Sequence, residues 1–270
     1  MYNKSCKERE VWIMTSTKQK TRKRHMLTFV VKDNALIQKS CSRFSLVEQK
    51  AVAYICSMLN LRAKENGRYQ MDYVFSMKDF CKKCGISSIG GKTYHEVQAC
   101  ISALASHNFW VLDNKNKQRK LVQWFEDAKI LEGSSAIEVT ISESIAEFLF
   151  GLRSNYTKYE LENILNMDSG HSIRLYELLK SYSYRKQINI TISELRNRTN
   201  TDNVYSEFSD FKRRVLDVAV REINDKTDLS VQYELVREGK KVESITFYLS
   251  SSASDSDVLI EDTVDGVVEP

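Results

Sequence analysis

The sequence predicts an α+β fold: two tandem winged-helix domains related by internal duplication. Three observations carry that prediction. Residues 188–249 read as a short strand (188–190), a short helix (192–199), a longer amphipathic helix (203–226) and two strands (230–236 and 242–249) joined at Glu238-Gly239-Lys240-Lys241. The short helix is bounded by chemistry at both ends: Thr191 with Glu194 makes a capping box that satisfies unpaired backbone amides, and Asn200 stands where a left-handed residue closes a helix. The same frame recurs 115 residues earlier, where Tyr73-Val-Phe-Ser76 falls on Ile188-Asn-Ile-Thr191, Ser76 with Asp79 repeats the cap, Phe80 repeats Leu195 and Gly85 repeats Asn200. Allowing four extra residues in the next turn, Tyr94, Val97, Cys100 and Leu104 fall on Tyr205, Phe208, Phe211 and Val215.

Taken in order, residues 1–26 hold eight bases and little periodic apolar pattern, which predicts a flexible basic arm. The first winged domain is expected over 27–141. It opens with a short strand or extended entry at 27–31 and a helix capped by Ser45 that runs to about Asn60, with Leu46, Val52, Ile55 and Leu59 on one face. A strand at 73–75, a helix at 77–84, a glycine-rich turn at 87–91 and a helix at 92–106 follow, the last opening with a second capping box, Thr93 with Glu96. Alternation over 108–125 predicts two strands around the basic loop at 113–120, a wing presenting Lys115, Lys117, Arg119 and Lys120, with a third strand at 137–141. Two short apolar helical patterns, 145–150 and 159–167, make 142–168 a packed helical bridge. The second winged domain, 169–250, then opens with a helix over 172–184 that turns Leu175, Leu178, Leu179 and Tyr182 inward. An acidic disordered tail, 251–270, ends the sequence.

The net charge of +4 hides an asymmetry. The tail holds six acids and no base, leaving +10 on the remainder, so a polyanionic partner is expected. No run of 18 apolar residues exists, so no membrane span is predicted and a cytoplasmic location is expected. The six cysteines all lie in the first half, mostly within apolar helical patterns, which suits buried reduced thiols.

Enzymatic chemistry finds little support. Cys81-Lys-Lys-Cys84 lacks a second ligand pair of matching spacing, and Phe80, Cys81 and Cys84 share one helix face opposite Lys78, Lys82 and Lys83, so core thiols are expected and no metal. A nickase would need two histidines one residue apart, whereas His25, His95, His107 and His171 are isolated. No Gly-x-x-x-x-Gly-Lys-Ser/Thr loop is present to hold nucleotide phosphates. No catalytic residue and no cofactor are expected.

Nucleic-acid readout is the better fit. At 100° per residue Phe208, Phe211, Val215, Val218 and Ala219 form one apolar arc on the 203–226 helix, and Ser206, Ser209, Arg213, Asp217 and Asn224 lie opposite. Arg213 is the outermost base and can donate two bonds to guanine, so it is the candidate for direct readout. Lys212 and Arg214 flank the arc and suit phosphate contacts, with Asn203, Arg196, Arg198, Lys240 and Lys241 as further contacts from the same domain. The equivalent first-domain helix presents Glu96, Gln98, Ala99 and Ser102, with Lys92 at its start, a face better suited to protein packing.

At Ser172-Ile-Arg-Leu-Tyr-Glu-Leu-Leu-Lys180, Ser193-Glu-Leu-Arg196, Phe211-Lys-Arg-Arg-Val-Leu216, Glu222-Ile-Asn and Thr227-Asp-Leu, the chain resembles the iteron-binding plasmid replication initiators of the Rep_3 type. The resemblance covers roughly residues 28–249. It implies binding to directly repeated origin sites on double-stranded DNA, opening of adjacent AT-rich DNA, and recruitment of host replication proteins such as a helicase. It also implies homodimers, joined through the first domain, that repress the initiator's own gene; two-fold symmetry would match them to inverted repeats. The competing expectation is a winged-helix transcription regulator without a replication role.

Overall fold

The computed structural model describes residues 28–251, apart from 41–42, 60–63, 66, 87–90, 114–116 and 132–134. The expected arm, the tail, most of the glycine-rich turn, Lys115, Cys6 and Cys41 lie outside the described residues. The chain opens with β1 (Phe29–Asp33), a helical turn α1 (Asn34–Gln38) and α2 (Leu46–Met58). α2 starts where it does because Ser45 accepts from the Glu48 amide while the Glu48 carboxylate accepts from the Ser45 amide. The small hairpin β2 (Lys64–Glu65) and β3 (Arg68–Tyr69) leads to β4 (Asp72–Ser76), α3 (Met77–Cys84) and α4 (Gly91–Ser106). Gly85 closes α3 in the left-handed region at φ 73°, which glycine adopts without a Cβ penalty.

Two hairpins follow, β5 (Phe109–Asp113) with β6 (Gln118–Val122) and β7 (Phe125–Leu131) with β8 (Ala136–Ile141). Next come α5 (Glu143–Ala146), β9 (Tyr156–Glu160), α6 (Leu161–Leu165) and α7 (Gly170–Lys180). The second unit continues with β10 (Gln187–Thr191), α8 (Ile192–Arg198), α9 (Phe208–Phe211), a π-helical turn (Lys212–Leu216), α10 (Asp217–Lys226), β11 (Leu229–Glu238) and β12 (Lys241–Ser251).

The duplication is visible in the sheets. β4, β8 and β7 make a three-stranded antiparallel sheet in that order, and β10, β12 and β11 make another. In each unit the strand before the short helix pairs with the last strand, and the last strand pairs with the one before it. The winged pair of the first unit is therefore β7–β8. β5–β6, expected from the alternation over 108–125 to be the wing, is a separate ribbon inserted ahead of it. Alternation identifies strands but not which hairpin joins which sheet.

Four further expectations are corrected. β1 pairs with β9, taken above for part of a helical bridge: the apolar run at 159–167 begins as strand, with Val30 opposite Tyr159. Ser76 makes no side-chain capping bond, and Asp79 accepts instead from the Tyr54 hydroxyl at 2.7 Å. α4 begins at Gly91, which puts Thr93 inside the helix, not at its cap. The long helix begins at Phe208, not at 203, and carries a π turn in which the Asp217 amide reaches back to the Lys212 carbonyl.

The two units share one continuous core. At their junction Lys32 of β1 and Glu177 of α7 form a buried ion pair at 2.6 Å, and Tyr159 of β9 donates to the same carboxylate oxygen at 2.5 Å. Burial alone would raise the Glu177 carboxyl, yet the charge and hydrogen bond of Lys32 together with the Tyr159 hydroxyl hold it below the ordinary value. α7 enters close against α2: a Cβ on Gly170 would sit 2.7 Å from Gln49 Nε2, so a larger residue there would make that amide shift.

Candidate nucleic-acid interface

The helix expected to read DNA is organised from its base by Arg196. Thr191 caps α8 by accepting from the Glu194 amide at 3.2 Å, and Asn200, at φ 57°, reverses the chain after it. The guanidinium of Arg196 then donates to the carbonyls of Val204 (3.0 Å) and Tyr205 (2.7 Å) and lies 4.6 Å over the Phe211 ring. Those bonds shape the loop 201–207 and set the direction in which α9 leaves it. Tyr205 takes a left-handed backbone at φ 57°, which leaves Asn203 and Ser206 exposed before the helix and Ser209 exposed in its first turn.

The π turn places the two arginines. Phe211, Val215, Leu216, Ala219 and Ile223 are buried on the inner face of this helix. Between them Arg213 and Arg214 project outward, with side chains 68% and 55% exposed. Asp210 lies 2.8 Å from Arg213 and 3.6 Å from Arg214, and its carboxyl is held below the ordinary range, first by the Arg213 hydrogen bond. Arg221, exposed about two helical turns beyond Arg214, was missed because charge alone did not distinguish it from a solvating base.

Several expected contacts are committed inside the protein. Lys212 binds both oxygens of Asp217, at 2.9 and 2.8 Å, and the same carboxylate accepts from Tyr233 of β11 at 2.5 Å. Its ammonium is held above the ordinary lysine value, first by the Asp217 bond. Asn224 is exposed as expected, and its side chain donates to the Val231 carbonyl at 3.0 Å and accepts from its amide at 2.7 Å, which ties α10 to β11. Arg198 lies 3.9 Å from Glu194 and donates to the Ser40 carbonyl at 3.3 Å, so it fastens the second unit to the first.

The wing of the second unit carries Lys240 and Lys241, both exposed, at a turn where Gly239 takes φ 58°. Lys241 sits 3.6 Å from Glu243. A groove of about 420 Å³ between this wing and the start of α8 is lined by Thr191, Ser193, Arg196 and Lys241 among others. In the first unit a groove of about 440 Å³ between α4 and β7 is lined by Gln98, Ser102, Glu126 and Asp127 among others, and by no base. Gln98, Ala99 and Ser102 are exposed there, and Lys92 stands exposed at the start of α4, 3.8 Å from Glu96. Lys117, Arg119 and Lys120 belong to the β5–β6 ribbon, off the winged sheet, and Lys120 is paired with Glu147. Cys81 and Cys84 are buried, as the helical wheel of α3 required.

The geometry defines a class, a tandem winged-helix protein whose second unit alone sets exposed arginines on the long helix beside a lysine-tipped wing. Residues 29–180 match the family described as initiator replication protein, WH1, and residues 191–249 match that described as initiator Rep protein, WH2. The chain belongs to this family of replication initiator proteins. A replication initiation protein of Escherichia coli is 24% identical over 213 residues, covering 76% of this chain and 65% of its own length. The PI protein of Escherichia coli is 31% identical over 132 residues, 43% of each chain. Among solved structures, the crystal structure of Pi initiator protein in complex with iteron DNA superposes with a TM-score of 0.68 at 18% identity, covering 83% of this chain and 97% of that one.

Proposed function

We propose that the chain is a plasmid replication initiator that binds directly repeated origin sites in double-stranded DNA, chiefly through its second unit. The observation that carries this is the pairing of Arg213 and Arg214, exposed on the π turn, with Lys240 and Lys241 on the adjacent wing, in a member of an initiator family. In this reading Arg213 contacts base edges, and Arg214, Arg221, Lys240 and Lys241 contact phosphates. Ser206, Ser209 and Asn203 donate from the loop side. Arg196, Arg198 and Lys212 are positioning residues, because their donors already hold protein oxygens. The first unit contributes through Lys92 and through the small neutral face around Ala99 and Ser102, which we assign to homodimerisation and autorepression. Opening of AT-rich DNA and recruitment of host replication proteins complete the proposal.

The test is binding of the full chain to a duplex of tandem origin repeats and to a scrambled duplex across a salt series. With 6–10 phosphates contacted, affinity for the repeats should fall roughly 10³–10⁵-fold between about 50 and 200 mM salt. Equal affinity for the two duplexes throughout would remove the reading. Failure of the gene to maintain a replicon that carries those repeats would remove its replication half.

A further inference from the structure

The β5–β6 ribbon has no counterpart in the second unit, and its outer face is apolar. Trp110 pairs across the ribbon with Leu121, and the two are 54% and 48% exposed. Leu112, half-buried, continues the face opposite Arg119, and Arg119 and Lys117 stand exposed beside it. An indole and a leucine side by side in water lose the hydrophobic stabilisation that an apolar cover would give them. The cover must also tolerate two positive charges.

The sequence beyond β12 has that chemistry. Val258-Leu-Ile260 is followed directly by Glu261-Asp262, in a stretch from Ser252 to Pro270 that holds no base. Leu249 donates to the Lys186 carbonyl at 2.9 Å, next to the turn that follows α7. In that turn Ser181 accepts from Gln38 of α1 at 2.9 Å, and α1 packs on β5. An open groove of about 690 Å³, lined by Asn34, Gln38, Tyr156, Lys158 and Tyr184 among others, runs along this junction. At its rim Glu147 is paired with Lys120 of β6, so the groove reaches the ribbon at the face opposite Trp110 and Leu121, and the tail has only to pass the ribbon's edge. Tyr184, 72% exposed, stands in the groove wall beside the route. Val258 follows Ser251 by seven residues, up to ~25 Å of extended chain.

We propose that the acidic tail folds back in cis along this groove and docks Val258, Leu259 and Ile260 on Trp110, Leu112 and Leu121, with Glu261 and Asp262 facing Arg119 and Lys117. The ribbon is then an intramolecular docking site, and any other protein that uses its apolar face must first displace the tail.

Acrylamide quenching of tryptophan fluorescence tests this independently of DNA binding. In the full chain carrying Trp12→Phe, the remaining indoles are Trp110 and Trp124, and Trp124 is buried. A full-length Leu259→Ser variant in that background should quench more steeply, as should the chain ending at Ser251. Adding a peptide of residues 252–270 to the shortened chain should restore the protection, and Leu121→Ser should prevent the restoration. Quenching that is the same with and without the tail would overturn the proposal. Protection that grows with protein concentration would also overturn it, by placing the tail on a second copy.

Discussion

The two units have the same sheet order and opposite surfaces. β4-β8-β7 and β10-β12-β11 are wired alike, and Phe80 and Leu195 fill equivalent core positions at 0% and 1% exposure. Yet the long helix that carries exposed Arg213 and Arg214 in the second unit carries exposed Gln98, Ala99 and Ser102 in the first. Burial constrains the inside of a repeated fold, because a core must be filled, whereas the outside is free to diverge once one copy holds the interaction. The local devices diverge too. Asn200 is left-handed without being glycine where Gly85 uses glycine, and Thr191 makes a capping bond that Ser76 does not.

The largest effect is expected where the units meet. Glu177→Gln leaves Lys32 buried without its counter-charge, and removing one partner of such a pair costs about 3–5 kcal/mol. Chemical denaturation should show one transition in the parent chain and a large loss of stability in the variant. An unchanged midpoint would mean the pair is not what couples the units. The pH dependence follows from the depressed carboxyl of Glu177. Its stabilisation is complete above the ordinary glutamate value of ~4.3 and is lost as pH falls through the lower folded value. The stability difference between the parent and Glu177→Gln should therefore be full above that window and shrink as pH falls through it.

Next in size is the contrast between the two long helices. Arg213→Ala should weaken binding to specific DNA by about 1–3 kcal/mol and relax preference at one base pair, and Arg214→Ala should weaken specific and random DNA alike. Gln98→Ala and Ser102→Ala in the first unit should leave DNA binding near that of the parent. Asp210→Asn sharpens the comparison, since it removes the carboxylate that holds both arginines and should strengthen binding at low salt. Equal losses on either DNA for Arg213 and Arg214 would show that neither reads a base.

A smaller effect separates the caps. Thr191→Ala should cost ~0.5–2 kcal/mol of stability, because its hydroxyl satisfies the Glu194 amide, while Ser76→Ala should cost little. Thermal melts of the two variants measure this directly, and equal losses would mean that Ser76 caps in solution after all.

What the sequence made legible was local. α3 occupies 77–84 as read, Gly85 and Asn200 are left-handed where a helix needed stopping, and β11 and β12 follow their alternation. What it hid was decided by partners distant in the chain. β1 finds β9 more than a hundred residues away, so Tyr159 sits in a strand although its apolar spacing suits a helix. The π turn is accompanied by Asp217 bonding Lys212 and Tyr233 at once, and no periodicity contains Tyr233. Lys212 flanks the apolar arc on a wheel and Arg196 is an expected contact, and only the fold shows their donors already occupied.

The gentlest test uses the cysteines, because all four that are described lie in the first unit and modifying them reports on that unit alone. Cys56, Cys81, Cys84 and Cys100 are buried and unpaired. Burial pushes the Cys56 thiol up to about 11 and the Cys100 thiol up to about 12, and raises Cys81 and Cys84 as well. A thiolate, not a thiol, attacks an alkylating reagent, so in the folded chain these groups react only when the unit opens. With Cys6 and Cys41 replaced by serine, alkylation at pH 8 should be slow, and raising the pH to 9 should accelerate it about as much as an ordinary thiol, because the reacting thiols are those of the opened unit. Glu177→Gln should increase the rate if the junction restrains the first unit, whereas Arg213→Ala, on the far surface of the second, should not. Fast alkylation in the parent chain would mean that the first unit opens independently of the second, and the shared core would then not be cooperative across the junction.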